Sequence, residues 1–260
     1  MTRALVLGSG GVTGVAWEIG VLAGLAEAGV DLSGADLLVG TSAGSVVAAQ
    51  VAGDIPIEEM YGRQLTGAGA EVAAKMGAGP LLRWLVVILT SRDPQRARAR
   101  IGRMALAART VPEAERRAFL EARLPVREWP SRRLLVTAVD AATGDFRAFD
   151  RDSGVPLVDA VGASCAVPGV WPPVTIGGRR WIDGGARSPA NVDLAAGCER
   201  VVVLAPLTAG FGPLPSVATQ VRALRGAAVV VVSPDVAARK AIGRNALEPA
   251  RRAPSARAGR

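Results

Sequence analysis

The sequence predicts a three-layer α/β/α fold with a mainly parallel central sheet and a helical insertion, and three observations predict it. Short apolar runs end in glycine and lead into helix-patterned segments twice within residues 1–52. Residues 55–130 carry no convincing strand pattern. Strand patterns resume at Leu134-Leu135-Val136-Thr137-Ala138-Val139 and recur through residues 201–204 and 229–232.

The elements follow in order. Residues 3–7 read as a buried strand that breaks at Gly8-Ser9-Gly10-Gly11. A helix follows, with Val15, Ile19, Leu22 and Ala26 on one face and Gly29 as its stop. Asp36-Leu37-Leu38-Val39 is a second strand, broken at Gly40, and small residues with Val46-Val47 open the next helix. Within 55–130 the pattern is that of a helical insertion or lid. Residues 81–89 form an apolar patch that reads as a core helix or an interfacial surface, and the Arg-rich stretch 96–123 reads as a solvated helix face. Phe146 to Phe149 forms a further strand, and a helix runs near 158–166. Gly177-Gly178 turns a hairpin between Val174-Thr175-Ile176 and Trp181-Ile182. The runs 201–204 and 229–232 read as continuous apolar, buried strands.

Composition bounds the rest. With 260 residues, half of them hydrophobic, the chain suits one domain over 1–248 with a basic, disordered stretch at 249–260. Two cysteines, Cys165 and Cys198, make neither a disulfide framework nor a metal cluster, and they fit a reducing compartment. The first apolar run is too short for a signal-peptide core, and no run approaches the roughly 20 residues of a membrane span. The expectation is therefore a cytoplasmic protein, at most peripheral to a membrane. The net charge of +8 raises a nucleic-acid reading, but seven basic residues against one acid, Glu248, lie within 239–260. A basic domain face for nucleic acid is thus not expected, whereas contact with an anionic lipid surface fits.

The chemistry concentrates in three places. Gly40-Thr41-Ser42-Ala43-Gly44 is a G-x-S-x-G sequence between a strand and a helix, the context of a nucleophile elbow. Gly8-Ser9-Gly10-Gly11-Val12-Thr13-Gly14 offers successive backbone N–H groups that suit an oxyanion hole. The same glycines also fit a dinucleotide site, with Asp31 or Asp36 placed for a ribose. A second serine elbow on the next strand favours the hydrolase. The chain contains no histidine, so a Ser-His-Asp arrangement is impossible and another base is needed. Asp183-Gly184-Gly185, just after a hairpin strand, supplies the natural one. An exposed aspartate is a feeble base, so an apolar pocket, to which Trp171 and Trp181 could contribute, must raise its pKa. No cluster with ligand spacing points to a metal, and no cofactor is expected.

Glycine loop, G-x-S-x-G and Asp-Gly-Gly, in that order, resemble the patatin-like phospholipases, which are Ser-Asp dyad lipid acyl hydrolases. Gly20-Val21-Leu22, Ala163-Ser164 through Ala166-Val167-Pro168, Pro172-Pro173-Val174 and Asn191 extend the resemblance over about 1–205. It implies the patatin-like fold and the hydrolysis of phospholipid, lysophospholipid or similar acyl esters. Ser42 would be the nucleophile and Asp183 the base, with Gly40, Gly44, Gly184 and Gly185 as supporting glycines. Amides of Gly10, Gly11 and Val12 would form the oxyanion hole. Two departures stand out. Thr13 replaces the basic residue usual before the last glycine of the loop, and Trp17-Glu18 stands where many relatives carry a histidine. The alternatives are a nucleotide-binding oxidoreductase using the 8–14 loop and a catalytically silent, lipid-binding relative.

Overall fold

The computed structural model describes residues 1–66, 86, 87 and 90–260. It is a mixed α/β fold with a mostly parallel central sheet flanked by helices, as the sequence predicts. The strands are β1 (Arg3–Leu7), β2 (Leu37–Gly40), β3 (Arg133–Asp140), β4 (Phe146–Phe149), β5 (Val174–Ile176), β6 (Arg179–Asp183), β7 (Arg200–Leu204) and β8 (Ala228–Val232). Hydrogen-bonded neighbours link them as β5-β6-β3-β2-β1-β7-β8, with β4 also paired to β3. β1, β2, β3, β7 and β8 are mutually parallel, while β4, β5 and β6 add antiparallel pairs.

Alternation along β1 shows how the layers arise. Leu5 and Leu7 pack into the core under α1 (Gly11–Glu27) and α2 (Ala43–Ala52). Ala4 and Val6 face the other way, against Ala190, Val192 and Val217 of α7 (Val217–Ala223). A third cluster joins Ala97, Ile101 and Ala105 of α4 (Pro94–Leu106) to Val139 and Ile182. Among the described residues of 55–130 there are α3 (Ile57–Leu65), α4 and α5 (Glu113–Arg123), and no strand. Of the 81–89 patch only Val86, exposed, and Val87, buried, lie within the described residues. α6 (Leu157–Ser164) lies between β4 and β5, and α8 (Val236–Ile242) follows β8.

The register of β3 matters most for the site. Val136 pairs with both Gly40 of β2 and Phe149 of β4, so those strands lie on opposite edges. Ala138 pairs with both Arg147 of β4 and Asp183 of β6. β2 and β6 therefore share one edge of β3 and meet end to end, which brings the close of β6 beside the turn that follows Gly40.

Three expectations need correction. The 229–232 run is not buried: β8 is the edge of the sheet, and Val230 is 58% exposed. The Arg-rich face is not wholly solvated, because the Arg116 guanidinium stacks 3.9 Å from the Trp171 ring centroid. Residues 249–260 are not disordered, since they form a 3-10 turn and α9 (Arg252–Gly259), packed on α1. Small residues allow that contact. A Cβ on Gly20 would lie 2.1 Å from the Ala256 carbonyl oxygen, and one on Gly259 would lie 2.3 Å from that of Trp17. The basic side chains serve the docking, with Arg260 bonded to Glu27 and Glu58 and Arg252 bonded to Gln64.

Candidate active site

Ser42 stands in the turn between β2 and α2 with φ 53° and ψ −118°, a backbone conformation that a residue with a side chain adopts only under strain. Its flanking glycines are dictated by space. A Cβ on Gly40 would lie 2.5 Å from Ser45 Cα, and one on Gly44 would lie 2.1 Å from the Leu7 carbonyl oxygen. The strained turn is clasped from α6 and from α2. The Ser42 N–H donates to Ser164 Oγ at 2.9 Å. Its carbonyl accepts from Ser45 Oγ at 2.6 Å and from Cys165 Sγ at 3.2 Å. Ser164 and Cys165 fall within the resemblance, but the sequence gives no sign of these bonds, which join residues more than 120 positions apart.

Ser42 Oγ donates to Asp183 Oδ2 at 2.6 Å, while Asp183 Oδ1 accepts from the Gly185 N–H at 2.7 Å. Burial pushes the Asp183 carboxyl up from 3.8 to about 7, against the lowering effect of those two hydrogen bonds. Neither tryptophan lines the pocket that Asp183 borders. Asp183 shares a pocket with Val167, Pro168, Ala186 and Pro189. Trp171 lines a neighbouring pocket, and Trp181 packs edge-on to Phe149 in the core. Behind the pair, Asn191 Nδ2 reaches Thr41 Oγ1 at 3.0 Å and the Gly184 carbonyl at 3.3 Å, tying the serine turn to the Asp-Gly-Gly turn. Thr137 Oγ1 lies 3.0 Å from Thr41 Oγ1 in the same network. Gly184 must be glycine, because a Cβ there would meet Thr137 Oγ1 at 2.2 Å.

The glycine loop caps α1, with Gly10 as the N-cap residue. Gly11 and Val12 open the helix, where backbone N–H groups have no intrahelical acceptor. Both residues line a pocket with Ser42, and Gly10 and Gly11 line the Asp183 pocket with it. Gly11 has φ +60°, and a Cβ there would lie 2.5 Å from the Ala246 carbonyl oxygen. That carbonyl accepts from the Thr13 N–H at 3.1 Å and from Thr13 Oγ1 at 3.2 Å. The position that departs from the family pattern is thus the seat of the segment leading to α9. Glu18, the other departure, is fully buried, and its Oε1 accepts from the Gly8 N–H at 2.8 Å at the root of the loop. Burial raises its pKa well above the usual carboxylate range.

The dinucleotide alternative lacks its acid. Asp36 bonds the Arg3 N–H at 2.7 Å, at the end of β1 remote from the glycine loop, and Asp31 is occupied with Ser33. No described helix is long and apolar enough to cross a membrane.

Comparison with known proteins agrees with the sequence resemblance. Lysophospholipase nte1 of Aspergillus oryzae is 45% identical over 65 residues, which are 25% of this chain and 4% of that protein. Lysophospholipase nte1 of Aspergillus niger matches to the same extent, so the chain spans a small part of the length of these relatives. Among solved structures, VipD of Legionella pneumophila is 13% identical with a TM-score of 0.41, covering 78% of this chain and 50% of that one. The type III effector protein ExoU is 17% identical with a TM-score of 0.40, covering 99% and 51%. The family model described as patatin-like phospholipase matches residues 5–196, most of the chain, and the protein belongs to that family.

Proposed function

We propose that the protein is a serine lipid acyl hydrolase in which Ser42 is the nucleophile and Asp183 the sole side-chain base. The observation that carries this reading is the 2.6 Å hydrogen bond from a strained, clasped serine to a buried carboxylate held near neutrality. Membership of the patatin-like phospholipase family supports lipid ester as the substrate.

The chemistry follows from the geometry. As Ser42 Oγ forms its bond to the ester carbonyl carbon, its proton passes to Asp183 Oδ2. The carbonyl oxygen, now negative, faces the amides of Gly10, Gly11 and Val12 at the positive end of α1. The carbon–oxygen bond to the alcohol then breaks, and Asp183 returns the proton to the leaving oxygen. Water then attacks the acyl-serine as Asp183 takes its proton, and the carbon–Oγ bond breaks as Asp183 hands that proton back to Ser42, releasing the fatty acid and restoring the pair. An aspartate with an ordinary pKa near 3.9 would be a poor acceptor for a serine proton, whereas one near 7 accepts and donates at neutral pH.

Steady-state hydrolysis of a medium-chain fatty acid ester tests the roles. Ser42→Ala and Asp183→Asn, both folded by circular dichroism, should each lose at least about a thousandfold in kcat. Activity retained by either variant would remove that residue from its role.

A further inference from the structure

Two pockets open on Ser42, and they are not equivalent. The larger, of 390 Å³, is lined by Val12, Val15, Val46, Phe119, Leu120 and Trp171. The smaller, of 290 Å³, is lined by Pro168, Asp183, Ala186, Pro189, Leu207 and Phe211. Gly11, Ser42, Val167 and Leu247 belong to both, so the serine stands on the partition between them. Asp183 and Gly10 border only the smaller pocket.

We propose that the partition divides a two-chain lipid ester: the acyl chain to be transferred lies in the larger pocket, and the alcohol half, carrying its own acyl chain, lies in the smaller. This rests on the reading of Ser42 as nucleophile and Asp183 as base. The assignment of sides comes from the proton. The alcohol oxygen must take its proton from Asp183 as its bond to the carbonyl carbon breaks, so it leaves toward the pocket that Asp183 borders. The acyl chain and the alcohol oxygen diverge from the same carbonyl carbon, which sends the chain into the other pocket. A single-chain ester needs only one of these cavities to be apolar, yet both are.

The smaller pocket has the character of a chain site and not of a simple exit for alcohol. Its walls beyond Asp183 are mainly proline and aliphatic or aromatic carbon. Leu207 and Phe211 are each 48% exposed, so large apolar area remains open to water there. Covering that area with a second acyl chain gains roughly 25 cal/mol per Å² removed from water. A single-chain ester leaves it uncovered, so the second chain should raise kcat/KM.

The test compares a diacyl phosphatidylcholine with the 1-acyl lysophosphatidylcholine of the same chain, each at equal mole fraction in mixed micelles of one detergent. kcat/KM is measured for wild type, Leu207→Ser, Phe211→Ser and Val46→Trp, with Ser42→Ala as the reference for the underlying reading. Leu207 and Phe211 are half exposed, so their replacement spares the core. Wild type should favour the diacyl lipid at least tenfold. The two serine variants should lower that ratio severalfold, whereas Val46→Trp, which narrows the larger pocket, should lower kcat/KM on both lipids alike and leave the ratio unchanged. A wild-type preference for the lyso lipid, or a ratio unmoved in both serine variants, overturns the partition while Ser42-dependent turnover leaves the nucleophile standing. Turnover that survives Ser42→Ala would instead sink the nucleophile and the partition with it.

Discussion

At the residue scale, a strained serine is joined to a carboxylate whose charge burial disfavours. As the proposed base, Asp183 would have to be ionised to accept the serine proton, so kcat/KM should rise with pH through a single ionisation near 7. An inflection near 4 would mean that the carboxylate is not desolvated during catalysis. The same burial costs stability. The folded pKa of Asp183 lies above its unfolded value, so its favourable contribution is complete below about pH 4 and is lost as pH rises toward 7. Asp183→Asn does not titrate, so its melting temperature should gain on wild type across that window and hold the gain above it. The advantage should amount to a few kcal/mol, and no pH-dependent gain would mean that the group is better solvated than its burial implies. The clasp on Ser42 is equally testable. Ser164→Ala leaves the buried Ser42 N–H without an acceptor, a loss of about 1–3 kcal/mol. kcat should fall about tenfold with KM little changed, and Ser164→Thr, which keeps a hydroxyl, should recover much of it.

Among the elements, those whose role is local were legible in the sequence and those whose role is remote were not. The first strand and helix, the G-x-S-x-G turn and the hairpin at Gly177 and Gly178 announce themselves through glycine positions and apolar spacing. The bonds of Ser164 and Cys165 to Ser42 could not be read, because they arise from how α6 packs against the β2–α2 turn. The valines of β8 look like those of β7, and only the strand order shows that β8 is an edge. Residues 249–260 misled most. Their Pro, Ala and Arg content reads as a solvated end, but the small residues are what let α9 lie against Gly20 and Gly24 of α1. Gly20→Val would drive its side chain into the Ala256 carbonyl, so it should release α9 and lower stability by about 1–3 kcal/mol. Because Ala246 and Leu247 wall the site, activity should fall with it. A Gly20→Val protein of unchanged melting temperature and activity would mean that this contact is dispensable.

For the whole molecule, the sheet is what converts separated motifs into one site. β2 and β6 meet end to end along one edge of β3, which sets residues 42 and 183 side by side although they are 141 positions apart. β1 brings the glycine loop alongside, and the segment before α9 closes over it through the Ala246 carbonyl. The motif order in the sequence was enough to gather these parts into one family pattern, but not to show the division of space around Ser42, which depends on side chains from five or more elements. Labelling the protein with a fluorophosphonate and locating the adduct by peptide mass spectrometry tests the Ser42–Asp183 pair most directly. One adduct is expected, on Ser42, lost in Ser42→Ala and strongly slowed in Asp183→Asn. An adduct on another serine, or labelling at Ser42 that proceeds unslowed in Asp183→Asn, would contradict it.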